Sequence, residues 1–297
     1  MFEHLEPVID SRPVTVAAVQ MNSGFDVKAN LAHAVRQLEQ AARRDARVVL
    51  LPENFACMPR SRSDILTASE RDGAGPIQDV LARAAERLEL FVVAGSVPLK
   101  ADEATEARVY TASLVYNEQG TRVARYDKLH LFDVDFDDGD RAERYRESDT
   151  YRAGAFMAPV VDTPAGRLGL SICYDLRFPE LYRQQAANGA EWFTVPAAFT
   201  ATTGAAHWRV LTRARAIENQ SAVLAAGQCG QHANGRQTYG HSLLVDGWGC
   251  VQAELQTEPG LLLGQIDRAG TKRLRADFPA LQHRRYPVPT LNLKDRR

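Results

Sequence analysis

The stretch GRLGLSICYDLRFPEL, residues 166–181, decides how this chain folds around a single thiol. Apolar residues alternate with glycine and serine over residues 168–172, and this period of two predicts a strand that ends at Cys173. Pro179 favours the first turn of a following helix, and Gly189 suits the position just past its end. Cys173 is therefore predicted to lie where a strand turns toward a helix. From there a thiol can face a cleft, and a nearby helix N-terminus favours the thiolate.

Taken alone, the segment favours a simpler interpretation, in which Cys173 is a small buried hydrophobic residue like most cysteines. Two upstream blocks favour a catalytic role for Cys173 instead. RVVLLPENFACMP, residues 47–59, places Glu53 after an apolar run, and VARYDKLHLFDVD, residues 123–135, places Lys128 after another strand-like run. Together with CYDLRFPEL, these blocks resemble the nitrilase (carbon–nitrogen hydrolase) superfamily, in that family's order of glutamate, lysine and cysteine.

The resemblance covers about residues 14–286 and implies an α/β fold, the four-layer α-β-β-α sandwich, usually paired across subunits. Residue patterns alone support only a layered α/β fold. Buried strands at residues 14–20, 48–51 and 91–97 alternate with helices that begin near Asp26 and at Pro76, which is typical of a sheet covered by helices. Because no repeat, low-complexity run or linker interrupts the chain, a single domain over residues 1–297 is predicted.

The later segments continue the pattern around one charged stretch. A hairpin is predicted from residues 109–116 and 121–126. Residues 133–152 are dense in charge and predict a solvated loop at the rim of an active site. DVDFDDGD within it resembles the start of a calcium-binding EF-hand loop but has Asp138 at the sixth position, where that loop needs glycine. A helix over residues 205–219 is predicted with Thr202 or Thr203 as its cap, and the remaining strands are predicted at residues 192–196, 221–227, 240–246 and 261–266.

The resemblance implies a role for each residue of the site. Attack on an amide carbonyl requires a nucleophile, a proton acceptor and a group that holds the developing oxyanion. Cys173 is implied as the nucleophile, Glu53 as the proton acceptor, and Lys128 as the positive charge at the oxyanion, which also lowers the pKa of the thiol. A backbone N–H near Cys173 or Tyr174 is the expected second donor. Glu147 is implied as a supporting, substrate-orienting carboxylate.

Composition restricts the partners and the compartment. The chain has 36 basic and 37 acidic residues, a formal net charge of −1, and therefore no basic face for nucleic acid or an anionic membrane. No apolar run approaches a membrane span, and no signal pattern opens the chain. The four cysteines include no C-x-x-C pair, so neither a zinc framework nor any other metal or cofactor is expected. Free thiols in a reducing compartment fit this spacing, and a cytoplasmic homodimer or higher oligomer is expected.

Two other classes of protein remain as alternatives. A papain-like or glutaminase-type enzyme would pair Cys173 with a histidine in a G-x-C-x-G elbow, whereas this chain reads S-I-C-Y-D. A non-catalytic binding or scaffold protein on the same fold should have lost Glu53, Lys128 or Cys173, and all three are present. Protection of the thiol from alkylation by substrate would distinguish an enzyme from a scaffold.

The expected substrate is a small-molecule amide. Arg177 follows Cys173 by four residues, so its guanidinium could hold a carboxylate on the acyl group, although an ion pair with Glu180 is an equally simple role. The strings QCGQH and QHRR resemble the deaminated glutathione amidase branch of the superfamily more than the omega-amidase branch. That branch implies hydrolysis of a 2-oxoglutaryl amide of cysteinylglycine. The omega-amidase reaction on 2-oxoglutaramate is the alternative.

Overall fold

Helices cover the outer faces of two stacked β-sheets in the computed structural model of the chain, which describes residues 12–101, 107–137, 142–155 and 158–287. One apolar cluster lies between the first sheet and its helices, and a second fills the space between the sheets and continues to the helices on the far side. The layers therefore follow the order helix, sheet, sheet, helix. The α/β sandwich implied by the resemblance is confirmed.

Strands outnumber helices among the described residues. In chain order, the strands are β1 (Val14–Gln20), β2 (Val48–Leu50), β3 (Phe91–Val93), β4 (Val97–Lys100), β5 (Val109–Tyr116), β6 (Arg122–Asp127), β7 (Asp133–Asp137), β8 (Ala142–Arg146), β9 (Tyr151–Arg152), β10 (Val160–Thr163), β11 (Gly166–Leu170), β12 (Trp192–Ala197), β13 (Ala222–Gly227), β14 (Cys229–Gln231), β15 (Gln237–Tyr239), β16 (Leu243–Val245), β17 (Val251–Glu254) and β18 (Gly260–Ile266). The α-helices are α1 (Val27–Ala42), α2 (Arg62–Ala68), α3 (Pro76–Leu88), α4 (Pro179–Ala187), α5 (Ala201–Thr203), α6 (Arg209–Asn219) and α7 (Arg268–Asp277).

The first sheet runs in the order β18-β1-β2-β3-β5-β4, with β6 and β9 also paired to β5. Strands β1, β2 and β3 are parallel, and their register places Ala17, Val49 and Val92 side by side. These three residues belong to the cluster that includes α1 and α3, whereas the preceding residue of each strand belongs to the cluster between the sheets. Both faces of these strands are buried, which explains why their sequences are apolar throughout rather than alternating.

The second sheet runs in the order β10-β11-β12-β13-β16-β17, with β11, β12 and β13 parallel. Its outer face packs against α4 and α6, whose Leu181 and Ala216 are buried, and its inner face meets the first sheet where β13 approaches β1. Strand β2 of one sheet and strand β11 of the other lead directly into the segments that carry Glu53 and Cys173.

Most predicted elements are confirmed, several at both ends. Strand β1 begins and ends as predicted, and α1 begins after Asp26, whose carboxylate accepts a hydrogen bond of 3.1 Å from the backbone N–H of Ala29. The predicted hairpin is β5 and β6. The predicted strand over residues 91–97 is instead two strands, β3 and β4, because the chain takes a left-handed turn at Gly95 with φ +49°.

The charged stretch after Lys128 differs from the prediction. Strands β7 and β8 pair in antiparallel register, so part of the expected loop is a hairpin. Its ladder is supported by an ion pair of 2.5 Å between Arg146 and Asp135, and by contact of the Phe132 and Tyr145 rings. The segment Asp133–Asp137 does alternate acidic and apolar residues, but its three aspartates and the charges around it favoured the interpretation as a loop. Residues 138–141, which include the calcium-loop candidate Asp138, lie outside the described residues.

Two further boundaries were predicted wrongly. The helix after β12 is capped by Thr200, whose hydroxyl accepts from the N–H of Thr203, so it begins at Ala201 and passes through a wide turn at Gly204–Trp208 before α6. Threonines stand at several neighbouring positions, and sequence alone does not choose among equal caps. The strand predicted over residues 240–246 begins only at Leu243 because Gly240 and His241 both adopt left-handed backbone conformations.

Candidate active site

Glu53, Lys128 and Cys173 come together at one end of the two sheets. Glu53 lies three residues after β2, Lys128 directly after β6, and Cys173 three residues after β11. The exposed fractions of the three residues are 3%, 1% and 8%. Because buried ionisable groups are costly unless they interact with one another, their convergence identifies this cluster as the candidate active site.

Lys128 is the centre of the cluster. Its Nζ lies 2.9 Å from Oε1 of Glu53, and 3.1 and 2.9 Å from the two carboxylate oxygens of Glu147. Glu147 is fixed in turn by a 2.8 Å hydrogen bond from the backbone N–H of Phe132. Burial alone would lower the pKa of Lys128, but the carboxylates of Glu147 and Glu53 raise it well above its usual value. The structure therefore places a permanently charged ammonium between two carboxylates.

Cys173 lies where the sequence predicts, at a turn between β11 and α4. The turn is a short 3₁₀ helix over Cys173–Arg177, and Cys173 itself has φ of +49°. A non-glycine residue in this left-handed region stores about 1–3 kcal/mol of strain and persists only where its surroundings hold it. Such strain at a thiol that faces charged groups is typical of functional sites.

The surroundings of Cys173 favour the protonated form of its thiol. Burial raises the pKa of Cys173 well above its usual value, and the negative charge of Glu53 raises it further. Lys128 and a backbone hydrogen bond from Ala198 act in the opposite direction but do not prevail. The sequence interpretation had the direction of the Lys128 effect right. It missed the net rise of the thiol pKa, because the burial of the thiol and its position beside the negative charge of Glu53 emerge only in the folded chain.

A fully buried carboxylate, Asp175, holds the turn in place. Its Oδ2 accepts from the backbone N–H of Ile172 at 2.8 Å and from the hydroxyl of Tyr126 at 2.7 Å. Its Oδ1 lies 2.7 Å from Nδ1 of His130 and accepts from the backbone N–H of the same residue at 3.2 Å. Tyr126 and His130 flank Lys128 in the chain, so this network ties the lysine segment to the cysteine turn. Sequence analysis did not identify Asp175, because its partners lie about 45–49 residues away.

The segment that carries Glu53 is fixed by a second buried network. Gln228 Nε2 donates to the carbonyl oxygen of Glu53 at 3.0 Å and to the hydroxyl of Ser23 at 2.9 Å. His232 lies 3.0 Å from the carbonyl oxygen of Ser23 through Nδ1. Gln228 and His232 are the first and last residues of QCGQH, the string on which the sequence analysis based its choice of branch. The string therefore has a physical role in holding the glutamate in place.

Tyr174 and Arg177 form part of the wall in front of the thiol. The guanidinium of Arg177 lies 5.7 Å from the centre of the Tyr174 ring and 5.3 Å from that of Phe199, and its Nη1 lies 3.2 Å from Nδ1 of His207. Among the described residues Arg177 makes no ion pair with Glu180 or with any other acid. The described residues therefore do not contain the ion pair considered as the structural alternative for Arg177.

Two neighbouring spaces, one of them lined by Cys173, share part of their wall. The inner pocket is lined by Cys173, Glu147, Phe132, Tyr174, Arg177, Ala198, Phe199, Thr200, Thr203 and Arg236. Its free volume is about 10 Å³, about enough for one water molecule. The outer cleft has a volume of about 720 Å³, shares Thr200 and Arg236 with the inner pocket, and is rimmed by Arg60 and Arg144.

The described ranges contain neither a metal-binding cluster nor a membrane span. None of the described groups of three or more His, Cys, Asp or Glu side chains is arranged to hold a metal ion. Among the described helices none has both the length and the apolar character to span a membrane.

Comparison with known proteins places these features in a family. The carbon–nitrogen hydrolase family model matches residues 15–276. The deaminated glutathione amidase of Yersinia enterocolitica is 42% identical over 271 residues, which are 91% of this chain and 93% of that protein. The crystal structure of the C. elegans NitFhit protein superposes with a TM-score of 0.83 at 36% identity, covering 93% of this chain and 66% of that longer one.

A third similar structure bears on the chemistry. It is a Glu-to-Gln mutant of the amidase from Nesterenkonia sp. AN1, in which the acetamide moiety of fluoroacetamide is covalently added at the active-site cysteine. The TM-score is 0.77 at 25% identity, covering 93% of this chain and 95% of that one.

Proposed function

Because this chain belongs to the carbon–nitrogen hydrolase family and is a hydrolase of non-peptide carbon–nitrogen bonds, we propose that it cleaves deaminated glutathione to 2-oxoglutarate and cysteinylglycine. The observation that carries the proposal is the buried contact of Lys128 with Glu53 and Glu147 beside the strained Cys173. Fixed, water-excluded charges of this kind favour a reaction in which negative charge develops on a carbonyl oxygen.

In the first half of the reaction, the Cys173 thiol transfers its proton to Glu53 as its sulfur attacks the amide carbonyl carbon. Because the thiol is protonated at rest, proton removal and attack are coupled, which gives the carboxylate a catalytic task. The tetrahedral intermediate then collapses: Glu53 returns the proton to the amide nitrogen, the carbon–nitrogen bond breaks, and cysteinylglycine leaves. The 2-oxoglutaryl group remains as a thioester on the sulfur.

In the second half, Glu53 takes a proton from a water molecule that attacks the thioester carbonyl. The carbon–sulfur bond breaks, Cys173 regains a proton, and 2-oxoglutarate is released. Both tetrahedral intermediates carry an oxyanion for Lys128. In the free enzyme its ammonium donors are directed to Glu53 and Glu147. An oxyanion can therefore accept a hydrogen bond from Lys128 only in place of one contact to Glu147. We assign to Glu147 the task of positioning Lys128 through its remaining contact.

The acyl group of the proposed substrate suits the inner pocket chemically. A 2-oxoglutaryl chain ends in a carboxylate, and Arg177 offers a guanidinium that no acid of the described chain neutralises. The pocket is narrow, so the acyl chain can enter only if wall side chains move. Arg177 rests on aromatic faces and a single 3.2 Å contact to His207, so it can turn toward a carboxylate without breaking an ion pair.

A direct comparison of two substrates tests the proposal. Deaminated glutathione and 2-oxoglutaramate share the acyl group, but the second releases ammonia. We expect a higher kcat/KM for deaminated glutathione. A preference for 2-oxoglutaramate would reassign the chain to the omega-amidase reaction, and no activity on either would reject the proposed acyl group.

The nucleophile assignment has its own test. Cys173→Ala should lower turnover by at least about 10⁴-fold, because removing a nucleophile removes the covalent path. Cys250→Ala, at an exposed cysteine, is the matched control and should keep full activity. Full activity in the Cys173→Ala protein would favour the non-catalytic binding or scaffold alternative.

The proposal also covers the domain organisation, the compartment and the oligomeric state. We place a single catalytic domain over the chain, with its core at about residues 14–286, working as a cytoplasmic homodimer or higher oligomer. All four cysteines are free thiols, which suits a reducing compartment. Helix α6 exposes Val210 and Ile217, an apolar surface suited to a second copy. Sedimentation of the purified protein would test the oligomer.

A further inference from the structure

The outer cleft beside the nucleophile carries a charge pattern that the proposed reaction does not use. Three arginines, Arg60, Arg144 and Arg236, line a space of about 720 Å³ that shares Thr200 and Arg236 with the inner pocket. Such a space is of the size that binds small molecules. It contrasts with the inner pocket, which has room for about one water molecule.

Arg236 differs from the other two arginines. Arg60 forms an ion pair with Asp64 at 3.2 Å, and Arg144 lies 3.7 Å from Asp135. The charge of Arg236, by contrast, meets no acid among the described residues. Its Nη2 donates to the carbonyl oxygen of Ala198 at 2.6 Å, while its Nε is buried and has no hydrogen-bond partner. An unpaired donor on a charged, partly buried side chain is costly, and it is typical of a group that waits for a ligand.

The position of Arg236 suggests which part of a substrate it meets. It is the arginine that lines both spaces, and it is held to Ala198, the residue whose backbone also bonds the Cys173 thiol. When an acyl group occupies the inner pocket and its carbonyl lies at the sulfur, the inner wall leaves the amine no space except the outer cleft. Arg236 then stands between the reacting bond and the far end of the leaving amine.

We propose that the outer cleft is a subsite for a carboxylate on the leaving amine, and that Arg236 is its specificity-determining anchor. This inference rests on the proposed function, because it assigns the second carboxylate of a substrate whose first carboxylate lies at Arg177. Arg60 and Arg144 add a positive field at the rim. The chemical class that the site selects is an amide whose amine is an amino acid or a short peptide with a free C-terminal carboxylate.

The first test compares deaminated glutathione with its C-terminal carboxamide, which differs only at the glycine carboxylate. The native enzyme should show about a 10- to 100-fold higher kcat/KM for the acid, the usual range for a charge-assisted hydrogen bond. Arg236→Gln should abolish that preference by raising KM for the acid, with kcat nearly unchanged. Turnover of 2-oxoglutaramate should fall far less than turnover of the acid, because ammonia places nothing in the cleft.

Two further variants separate recognition from damage to the fold. Arg236→Lys keeps the charge but not the forked donor, so it should retain part of the preference for the acid. Arg273→Gln is a matched control, since it removes one exposed arginine from α7. The proposal is overturned if Arg236→Gln keeps the native preference, or if the native enzyme cleaves acid and carboxamide equally well.

A binding measurement keeps this inference separable from the proposed substrate. Calorimetry with the Cys173→Ala protein can compare S-methylcysteinylglycine with its carboxamide, and neither ligand needs to be turned over. The acid should bind at least about 10-fold more tightly, and Arg236→Gln in the same background should abolish the difference. If deaminated glutathione is not a substrate but this difference is found, the subsite stands and the proposed substrate fails. Equal binding of acid and carboxamide overturns the subsite.

Discussion

The inner pocket and the outer cleft hold the same kinds of charged group within a short distance of each other, yet treat them in opposite ways. Beside the inner pocket Lys128 is buried and contacts two carboxylates, of which Glu147 lines the pocket. In the outer cleft Arg144 exposes 74% of its side chain, and Arg236 contacts no described acid. Lys128 is thus paired with acids inside the protein, whereas Arg236 has no described acid partner and is left for a ligand.

The difference indicates in which region charged residues can be substituted without loss of the fold. Buried charges in a low-dielectric site interact strongly but hold their geometry only while every partner is present. Exposed charges interact weakly with their neighbours and are screened by salt. Chemistry common to all substrates therefore belongs in the inner pocket, and discrimination among leaving groups belongs in the outer cleft.

The largest effect should follow from removing the inner carboxylate that moves protons. Glu53→Gln keeps the shape and the hydrogen bond to Lys128 but cannot accept a proton, so thioester formation should fall by about 10²–10⁴-fold. The apparent pKa of the Cys173 thiol should fall as well, because the Glu53 charge raises it in the native enzyme. The pH dependence of iodoacetamide alkylation measures that pKa.

A slower acylation together with a lower thiol pKa makes this prediction specific. General damage to the site would slow amide turnover without lowering the thiol pKa. Glu147→Gln is the matched control, since it also contacts Lys128 but is proposed only to position it. It should slow the reaction less than Glu53→Gln. A normal rate of acylation in the Glu53→Gln protein would contradict the assignment of the base.

The next effect concerns stability. Lys128→Met leaves Glu53 and Glu147 without their shared cation, and breaking a buried ion pair typically costs about 3–5 kcal/mol of unfolding free energy. Arg144→Gln in the outer cleft should change it by less than about 0.5 kcal/mol, the usual range for surface substitutions. Urea unfolding followed by circular dichroism measures both. Adding Glu147→Gln to Lys128→Met removes one orphaned carboxylate and should recover part of the loss.

Sequence reasoning located the cluster of Glu53, Lys128 and Cys173 because these residues lie in local sequence patterns. Glu53, Lys128 and Cys173 each stand just after a strand-like run, and the carboxyl end of a strand is where a side chain leaves the sheet and can meet others. The same reasoning found most strands and helices of both sheets, since apolar periodicity is local. The predictions that succeeded rest on residues that lie within about ten positions of each motif in the chain.

What it missed depends on contacts between distant segments. Asp175 has no local signal, yet it joins the lysine and cysteine segments through Tyr126 and His130. The hairpin of β7 and β8 lies in a charge-dense stretch, so it was predicted as a loop despite the alternation in DVDFD. Arg236 stands in a turn between β14 and β15 and resembles any surface arginine. Its significance comes from the absence of a described acid around it, which no linear pattern encodes.

The smallest predicted effect uses salt to separate the two regions without any mutation. Raising ionic strength from 0.1 M to 1 M shortens the Debye length from about 10 Å to about 3 Å, which screens exposed charges far more than buried ones. Exposed ion pairs contribute about 0.2–1 kcal/mol, so KM for deaminated glutathione should rise by about 1.5- to 5-fold. The kcat should stay nearly constant, because Lys128 and Glu53 are buried and Glu147 exposes 22% of its side chain.

The salt dependence of KM for a second substrate tests whether the outer cleft recognises the leaving group electrostatically. With 2-oxoglutaramate the leaving group carries no charge into the outer cleft, so only the acyl carboxylate feels the salt and KM should rise less. In Arg236→Gln the difference in salt dependence between the two substrates should shrink, because only the rim charges of Arg60 and Arg144 remain to act on the glycine carboxylate. If kcat falls with salt as steeply as kcat/KM, the inner charges are accessible to ions and the division of labour between pocket and cleft is wrong. If the two substrates respond equally in the native enzyme, the outer cleft does not contribute electrostatically to recognition of the leaving group.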